Sequence, residues 1–278
     1  MGFDAEFKAA SSAANWRPAA PRSCKPSSWR RESRFKTMKL YLLQLGLLQP
    51  LRVPVPGYLI QSYDGTNILV DTGYPYSFID DPPGPQGPLN LQLEMRPEDY
   101  VVNQLASIGL QPDDIHYLVC THFDPDHAGN HELFSRAELV VQRSHYEVAC
   151  AGHARSQVVR EHWDAPSLRY RLVEGDVTLL KGIELLETSG HVLGHQSLLV
   201  RLPQTGPILL AIDAVPTSLQ LNPDTRVVFP INDEDEARTR ASTRKLVEIA
   251  RREGVALIVY GHDHKQWPTL KHAPQYYA

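Results

Sequence analysis

From Leu40 onward the chain alternates short apolar runs with turn residues. LYLLQLG (40–46), GYLIQSY (57–63) and NILVDTG (67–73) are alternating or continuous apolar runs of strand length, divided by turn signals such as Asp64-Gly65. IHYLVCTH (115–122), AELVVQ (137–142), SLLVRL (197–202), PILLAID (207–213) and VALIVYGHDH (255–264) read as further strands. PEDYVVNQLASIGL (97–110) has a Pro-Glu-Asp start and helical apolar spacing, and SHYEVACAG (144–152) reads as a short helix. The longest helical pattern is DEDEARTRASTRKLVEIARREG (233–254), acidic at its start and basic at its end, as the helix dipole favours. Between them, residues 77–97 are Pro/Gly-rich and irregular. That length suits a lid or binding loop, with Phe78, Leu89, Leu91, Leu93 and Met95 as its apolar residues. Strands interleaved with a few helices predict a layered α/β domain over residues 38–278.

Residues 1–37 break the pattern. They are rich in Ala, Ser, Pro and Arg and carry no apolar period, so a poorly ordered N-terminal extension is expected there, dispensable for activity. In the whole chain of 278 residues, 42% are hydrophobic, enough for one sizeable core. A formal charge of −4 and a pI near 6.3 offer no basic excess for nucleic acid. No apolar run is long enough for a membrane span. Three cysteines without a CxxC pair make no disulfide framework, which fits a reducing, cytoplasmic setting.

The polar residues gather where strands end. THFDPDHAGNH (121–131) crowds His122, Asp124, Asp126, His127 and His131 into one stretch. SGHVLGH supplies His191 and His195, LLAID supplies Asp213, and VYGHDH supplies His262, Asp263 and His264. Any one of these has an ordinary explanation as a cap or turn residue. Together they offer imidazole and carboxylate from four strand ends, the donor set that a divalent metal takes.

The order His-x-Asp-x-Asp-His, then Gly-His, Asp and Gly-His resembles the metallo-β-lactamase superfamily across residues 38–278. PGYLIQ, ILVDTGYP, THFDPDHAGN, VQRSHYEVA, SGHVLGHQSLLV, LLAIDA and YGHD resemble its N-acyl-homoserine lactonase branch. The resemblance implies an αββα sandwich with a two-metal site at one edge. It implies that His122, Asp124 and His191 hold one ion and that Asp126, His127 and His262 hold the other. Asp213 would bridge them, with Asp126 and Asp213 in the catalytic role. His195, Asp263 and His264 match no ligand position. Zinc is the expected metal, with iron, manganese or cobalt as alternatives. A small lactone is the implied substrate, opened by a metal-bridging hydroxide, and a homodimer is compatible with the branch.

Two positions depart from the usual pattern. Asp124 stands where a histidine is usual, so two dications, three aspartates and a hydroxide sum to a neutral core instead of +1. Pro216 stands where many of these lactonases carry a substrate-contacting tyrosine, and Tyr74 and Tyr76 after the Asp-Thr-Gly turn are the candidates to replace it. No Gly-x-Ser-x-Gly elbow or Cys–His dyad offers a side-chain nucleophile. A thioesterase, phosphodiesterase or β-lactamase on the same fold is the alternative hydrolytic reading. A diiron redox enzyme is a third, because such relatives place a carboxylate at the position of Asp124. They usually add a flavin domain, for which no residues remain.

Overall fold

A computed structural model describes residues 37–87 and 89–278. Apart from Thr37, the extension expected at 1–37 lies outside the described residues. Two sheets form the centre. The first has the order β4 (Gln92–Glu94), β1 (Lys39–Gln49), β2 (Val53–Gln61), β3 (Asn67–Val70), β5 (Tyr117–Val119), β6 (Glu138–Gln142) and β7 (Arg169–Val173). The second has the order β12 (Leu257–Tyr260), β11 (Gly206–Ile212), β10 (Gln196–Leu202), β9 (Ile183–Glu187) and β8 (Val177–Leu180). The helices are α1 (Val101–Ser107), α2 (Pro125–Ala128), α3 (Arg143–Cys150), α4 (Ala154–Gln157), α5 (Arg160–Trp163) and α6 (Glu236–Glu253).

The strand period of two sorts the side chains into layers. Leu40 and Leu42 of β1, Ile60 of β2 and Ile68 of β3 point one way, where they meet Leu185, Leu198, Val200 and Leu210 of the second sheet. Leu43, Leu45, Leu59, Leu69 and Leu118 point the other way, onto Val101 and Leu105 of α1, Ala149 of α3 and Trp163 of α5. On the far side of the second sheet, Leu199, Leu209 and Ala211 pack against Leu246 and Ile249 of α6. The expected αββα sandwich is therefore the architecture, with both sheets buried on two faces.

Local chemistry sets the element ends. Asp235 caps α6 by accepting from the Arg238 N–H, and Gly254 stops it at φ 62° in the left-handed region. The edge of β1 is covered twice, by β4 at Leu47–Gln49 and by Tyr277, which exchanges two backbone hydrogen bonds of 2.9 Å with Leu40.

The sequence pattern and the structure part company in two stretches. Residues 77–97 are not a free lid: β4 lies within them, and Leu91, Leu93 and Met95 are buried in the core under the first sheet. Leu89 alone of the five is largely exposed. Residues 169–187, not among the expected strands, form β7, β8 and β9.

Leu210 lies wholly buried between the sheets. Leu210→Ala is expected to lower unfolding free energy by about 2–5 kcal/mol, the range for a buried leucine that leaves a cavity. Urea denaturation with an unchanged slope would show it. A loss under about 1 kcal/mol would contradict the close packing of the two sheets.

Candidate metal centre

Four loops at one edge of the sandwich converge. β5 runs directly into His122, Phe123 and Asp124. Pro125 then starts α2, which carries Asp126 and His127. The loop after β9 carries His191, the end of β11 delivers Asp213, and β12 leads to His262. Two backbone positions make the approach close. Ile212 adopts φ 50° at an irregularity in the β11–β12 register, which turns Asp213 out of the ladder. Gly261 precedes His262. A Cβ there would lie 2.6 Å from the Ile212 carbonyl oxygen and 2.8 Å from Asp213 Oδ1, so only glycine lets the two strand ends meet.

All seven candidate ligands come together. Their donor atoms form three overlapping groups: His122, Asp124 and His191; His122, His127 and Asp213; and Asp126, His127 and His262. Within each group the atoms lie inside 4.8 Å of one another. Asp213 reaches both sides. Oδ2 lies 3.2 Å from His262 Nε2, 3.3 Å from His191 Nε2 and 3.8 Å from His122 Nε2. Oδ1 lies 3.0 Å from His262 Nε2 and 3.7 Å from His127 Nε2.

Asp71 sets the direction of two of the imidazoles. Its Oδ2 accepts from His127 Nδ1 at 2.8 Å and from the Thr121 hydroxyl at 2.7 Å, while Oδ1 accepts from the Thr121 N–H at 2.8 Å. With its proton committed to Asp71, the Thr121 hydroxyl accepts from His122 Nδ1 at 3.0 Å. Both rings therefore carry their proton on Nδ1 and turn Nε2 inward. His262 is fixed likewise, by donating from Nδ1 to the Pro54 carbonyl at 2.8 Å. Such outer contacts orient metal-binding histidines and raise their basicity. Asp71 itself sits at φ 58° at the end of β3, a conformation that aspartate tolerates better than most residues.

The electrostatics call for a cation. His122 Nε2 and His127 Nε2 are buried and have no hydrogen-bond partner, and Asp213 Oδ1 has only its ion contacts with histidines. Leaving imidazole nitrogens unpaired is costly, and divalent metal would satisfy them. Burial alone would lower His191 and His262, but Asp213, with Asp124 beside His191 and Asp126 beside His262, holds each up at about 9. Burial drives His122 well below its ordinary value, and neighbouring His127 adds to this. Asp213 is held well below the carboxylate range against its burial, by His262, His127 and His191.

The remaining candidates have other places. His195 bonds through Nδ1 to the Thr188 hydroxyl at 2.8 Å. Asp263 caps the next turn, accepting from the Ser218, Lys265 and Gln266 N–H groups. His131 is buried beside Phe123, outside the ligand groups. Tyr74 is buried, and burial followed by the charges of Asp126, Asp124 and Asp213 keeps its hydroxyl protonated. Tyr76 is half exposed and packs edge-on against Tyr100.

Sequence reasoning missed Arg155. On α4, its Nε donates to Asp124 Oδ1 at 3.0 Å and its Nη2 donates to Asp124 Oδ2. Nothing in HARSQ marks this residue, because its partner lies in a different loop. Asp71 could have been suspected from its place at a strand end, but not its link to two histidines.

This fold and this donor set belong to a known class. The metallo-beta-lactamase superfamily model matches residues 51–262, and the chain belongs to that superfamily. Membership implies divalent metal binding, for which the three groups supply donors. Among individual relatives, the chain is 34% identical over 233 residues to an N-acyl homoserine lactonase of Bacillus thuringiensis, covering 81% of this chain and 88% of the relative. It is 35% identical over 264 residues to the N-acyl homoserine lactonase AttM of Azorhizobium caulinodans, covering 86% and 98%. A solved N-acyl homoserine lactone hydrolase, with N-hexanoyl-L-homoserine bound at its catalytic metal centre, superposes with a TM-score of 0.76 at 31% identity. That match covers 87% of this chain and all of that one.

Asp71→Asn keeps a residue suited to the left-handed region and removes the charge that orients His122 and His127. Metal affinity should fall by roughly 10–100-fold with the fold retained, as for other outer partners of metal-binding histidines. Chelator competition measures it, and an unchanged affinity would remove Asp71 from this role.

Proposed function

We propose that this chain is a metal-dependent lactonase that opens the ring of N-acyl homoserine lactones, a quorum-quenching hydrolysis. One observation carries the reading. The Asp213 carboxylate lies within reach of histidines of both His/Asp groups, in a chain similar over most of its length to N-acyl homoserine lactonases. In this proposal His122, Asp124 and His191 hold one ion, Asp126, His127 and His262 hold a second, and Asp213 serves both. Zinc is the metal proposed. Bound divalent metal supplies Lewis acidity for a lactone carbonyl and lowers the pKa of a bound water.

The protein groups supply the rest. Asp213 keeps the two sides in register, because its carboxylate is the only one of the three within reach of histidines on both. Ring opening leaves a carboxylate and an alcohol and releases a proton above the acid's pKa. Negative charge develops on the carbonyl oxygen, and a fixed donor beside it lowers the barrier. Pro216 has neither a side-chain donor nor a backbone N–H. Its carbonyl oxygen accepts from the His262 N–H at 2.7 Å, so the residue serves the scaffold. Tyr74, buried and held protonated beside the site acids, is the proposed donor, and Tyr76 is not. Val227, Phe229 and Ile231 are exposed on the segment that ends at Asn232, whose carbonyl meets Arg155. They offer an apolar acyl tail a surface next to the polar site. The cytoplasm is the proposed location. The free thiols Cys120 and Cys150 suit it, and no described helix is long and apolar enough to cross a membrane.

The direct test is proton release from N-acyl homoserine lactones of several chain lengths. Wild type should release one proton per ring opened, and Asp213→Asn should turn over about 10²-fold more slowly or worse while staying folded. No ring opening by metal-loaded wild type would refute the lactonase reading. Tyr74→Phe removes only a hydroxyl. It should lower kcat by roughly 10²–10³-fold, as loss of one such donor does, with Tyr76→Phe near wild type. Equal kcat in both variants would leave carbonyl activation to the metal alone.

A further inference from the structure

Arg155 is placed by the core. Phe123, which precedes Asp124, stacks on buried Trp163 with ring centroids 4.6 Å apart. Trp163 Nε1 in turn donates to the Ser156 carbonyl at 2.7 Å, next to Arg155. The same stack thus fixes both the carboxylate and its guanidinium partner. Nη1 donates to the Asn232 carbonyl at 2.8 Å, and Nη2 lies 2.9 Å from His191 Nε2 as well as on Asp124 Oδ2.

Those last two atoms are on His191 and Asp124, residues of the first ligand group. Arg155 Nη2 lies within hydrogen-bond distance of both atoms, where an incoming ion would have to bind, so the guanidinium and the ion compete for that position. The charge balance changes too. Asp124, Asp126 and Asp213 contribute −3 and Arg155 contributes +1, leaving −2. A histidine at 124 without Arg155 would leave the same −2. The neutral core that the aspartates alone imply is thus restored to the usual charge. The second group has the opposite background, because Asp71 stands behind His127 and, among the described residues, no cation touches Asp126, His127 or His262 through an ion pair other than their own.

We propose that Arg155 is a built-in cation of the first ligand group, which balances Asp124 and must yield His191 and Asp124 Oδ2 to an incoming ion. The two groups therefore load in order, the second tightly and the first more weakly. This rests on the two-ion reading above.

The test uses the full-length protein loaded with Co2+, whose visible absorption follows each ion, and titrated with a competing chelator. Wild type should lose its ions in two steps. In Arg155→Met the weaker step should move to about tenfold to a hundredfold tighter binding, the scale of one or two charge-assisted hydrogen bonds. Arg155→Lys should fall between. Asp124→His alone leaves the guanidinium unpaired beside an ion and should weaken the first step. Adding Arg155→Met to it should restore tight binding, a recovery that a merely structural arginine would not give. This pair also serves if Arg155→Met alone fails to fold. Single-step release from wild type overturns the inference, as does a first step unmoved or weakened in Arg155→Met, or no recovery in the double variant. Those outcomes leave the two-ion reading standing. Fewer than two ions bound by both wild type and variants overturns that reading and the inference with it.

Discussion

The buried Asp71 carboxylate is the interaction on which the metal edge depends. It lies at the end of β3 and takes three hydrogen bonds, one from His127 and two from Thr121. Through the Thr121 hydroxyl it also decides the tautomer of His122. Two imidazoles from one loop are thereby aimed at a common space before any ligand arrives. Burial raises the pKa of Asp71, and His127 and the Thr121 bonds work against that rise. The carboxylate and its histidine hold each other in a site that neither would favour alone. Asp124 and Asp126 lie on the same loop, and strands of the second sheet bring His191, Asp213 and His262 to it.

That arrangement explains why so many charged groups can be buried together. Each histidine that contacts an aspartate lowers the cost of burying both. Asp124 is the exception in kind, since it also draws on an arginine from α4. Its carboxylate is held well below its ordinary range against burial by His122, then His191 and Arg155. The aspartate at this motif position is, in space, one half of an ion pair with Arg155.

The cluster of candidate ligands was legible in the sequence because its chemistry is dense. His122, Asp124, Asp126 and His127 fall within one short loop, and His191, Asp213 and His262 each follow a strand. The long helix was legible too, with Asp235 and Gly254 marking its ends. β7, β8 and β9 were not. β7 and β8 are the outer strands of their sheets, so they are buried on few positions and carry Arg169, Arg171 and Thr178 outward. The apolar residues of 91–95 were visible, but their destination under the first sheet was not, since only the β4–β1 pairing decides it. Arg155 was invisible for a related reason. Its meaning lies in Asp124, which shares no local pattern with it, and a single arginine on a short polar helix reads as a solvated side chain.

Ile212 is a branched residue in the left-handed region, where glycine or asparagine would sit more comfortably. The strain is of order 1–3 kcal/mol, a sizeable share of a domain's marginal stability. Its side chain cannot simply be given up, for it is wholly buried between the sheets, and its backbone turn is what swings Asp213 out of the ladder. Selection for a sturdier protein and selection for a working centre therefore pull in opposite directions at this one position. Along a lineage that warms its habitat, relief from that conflict would have to come from elsewhere in the sandwich, leaving residue 212 as a fixed point around which the rest of the sequence drifts.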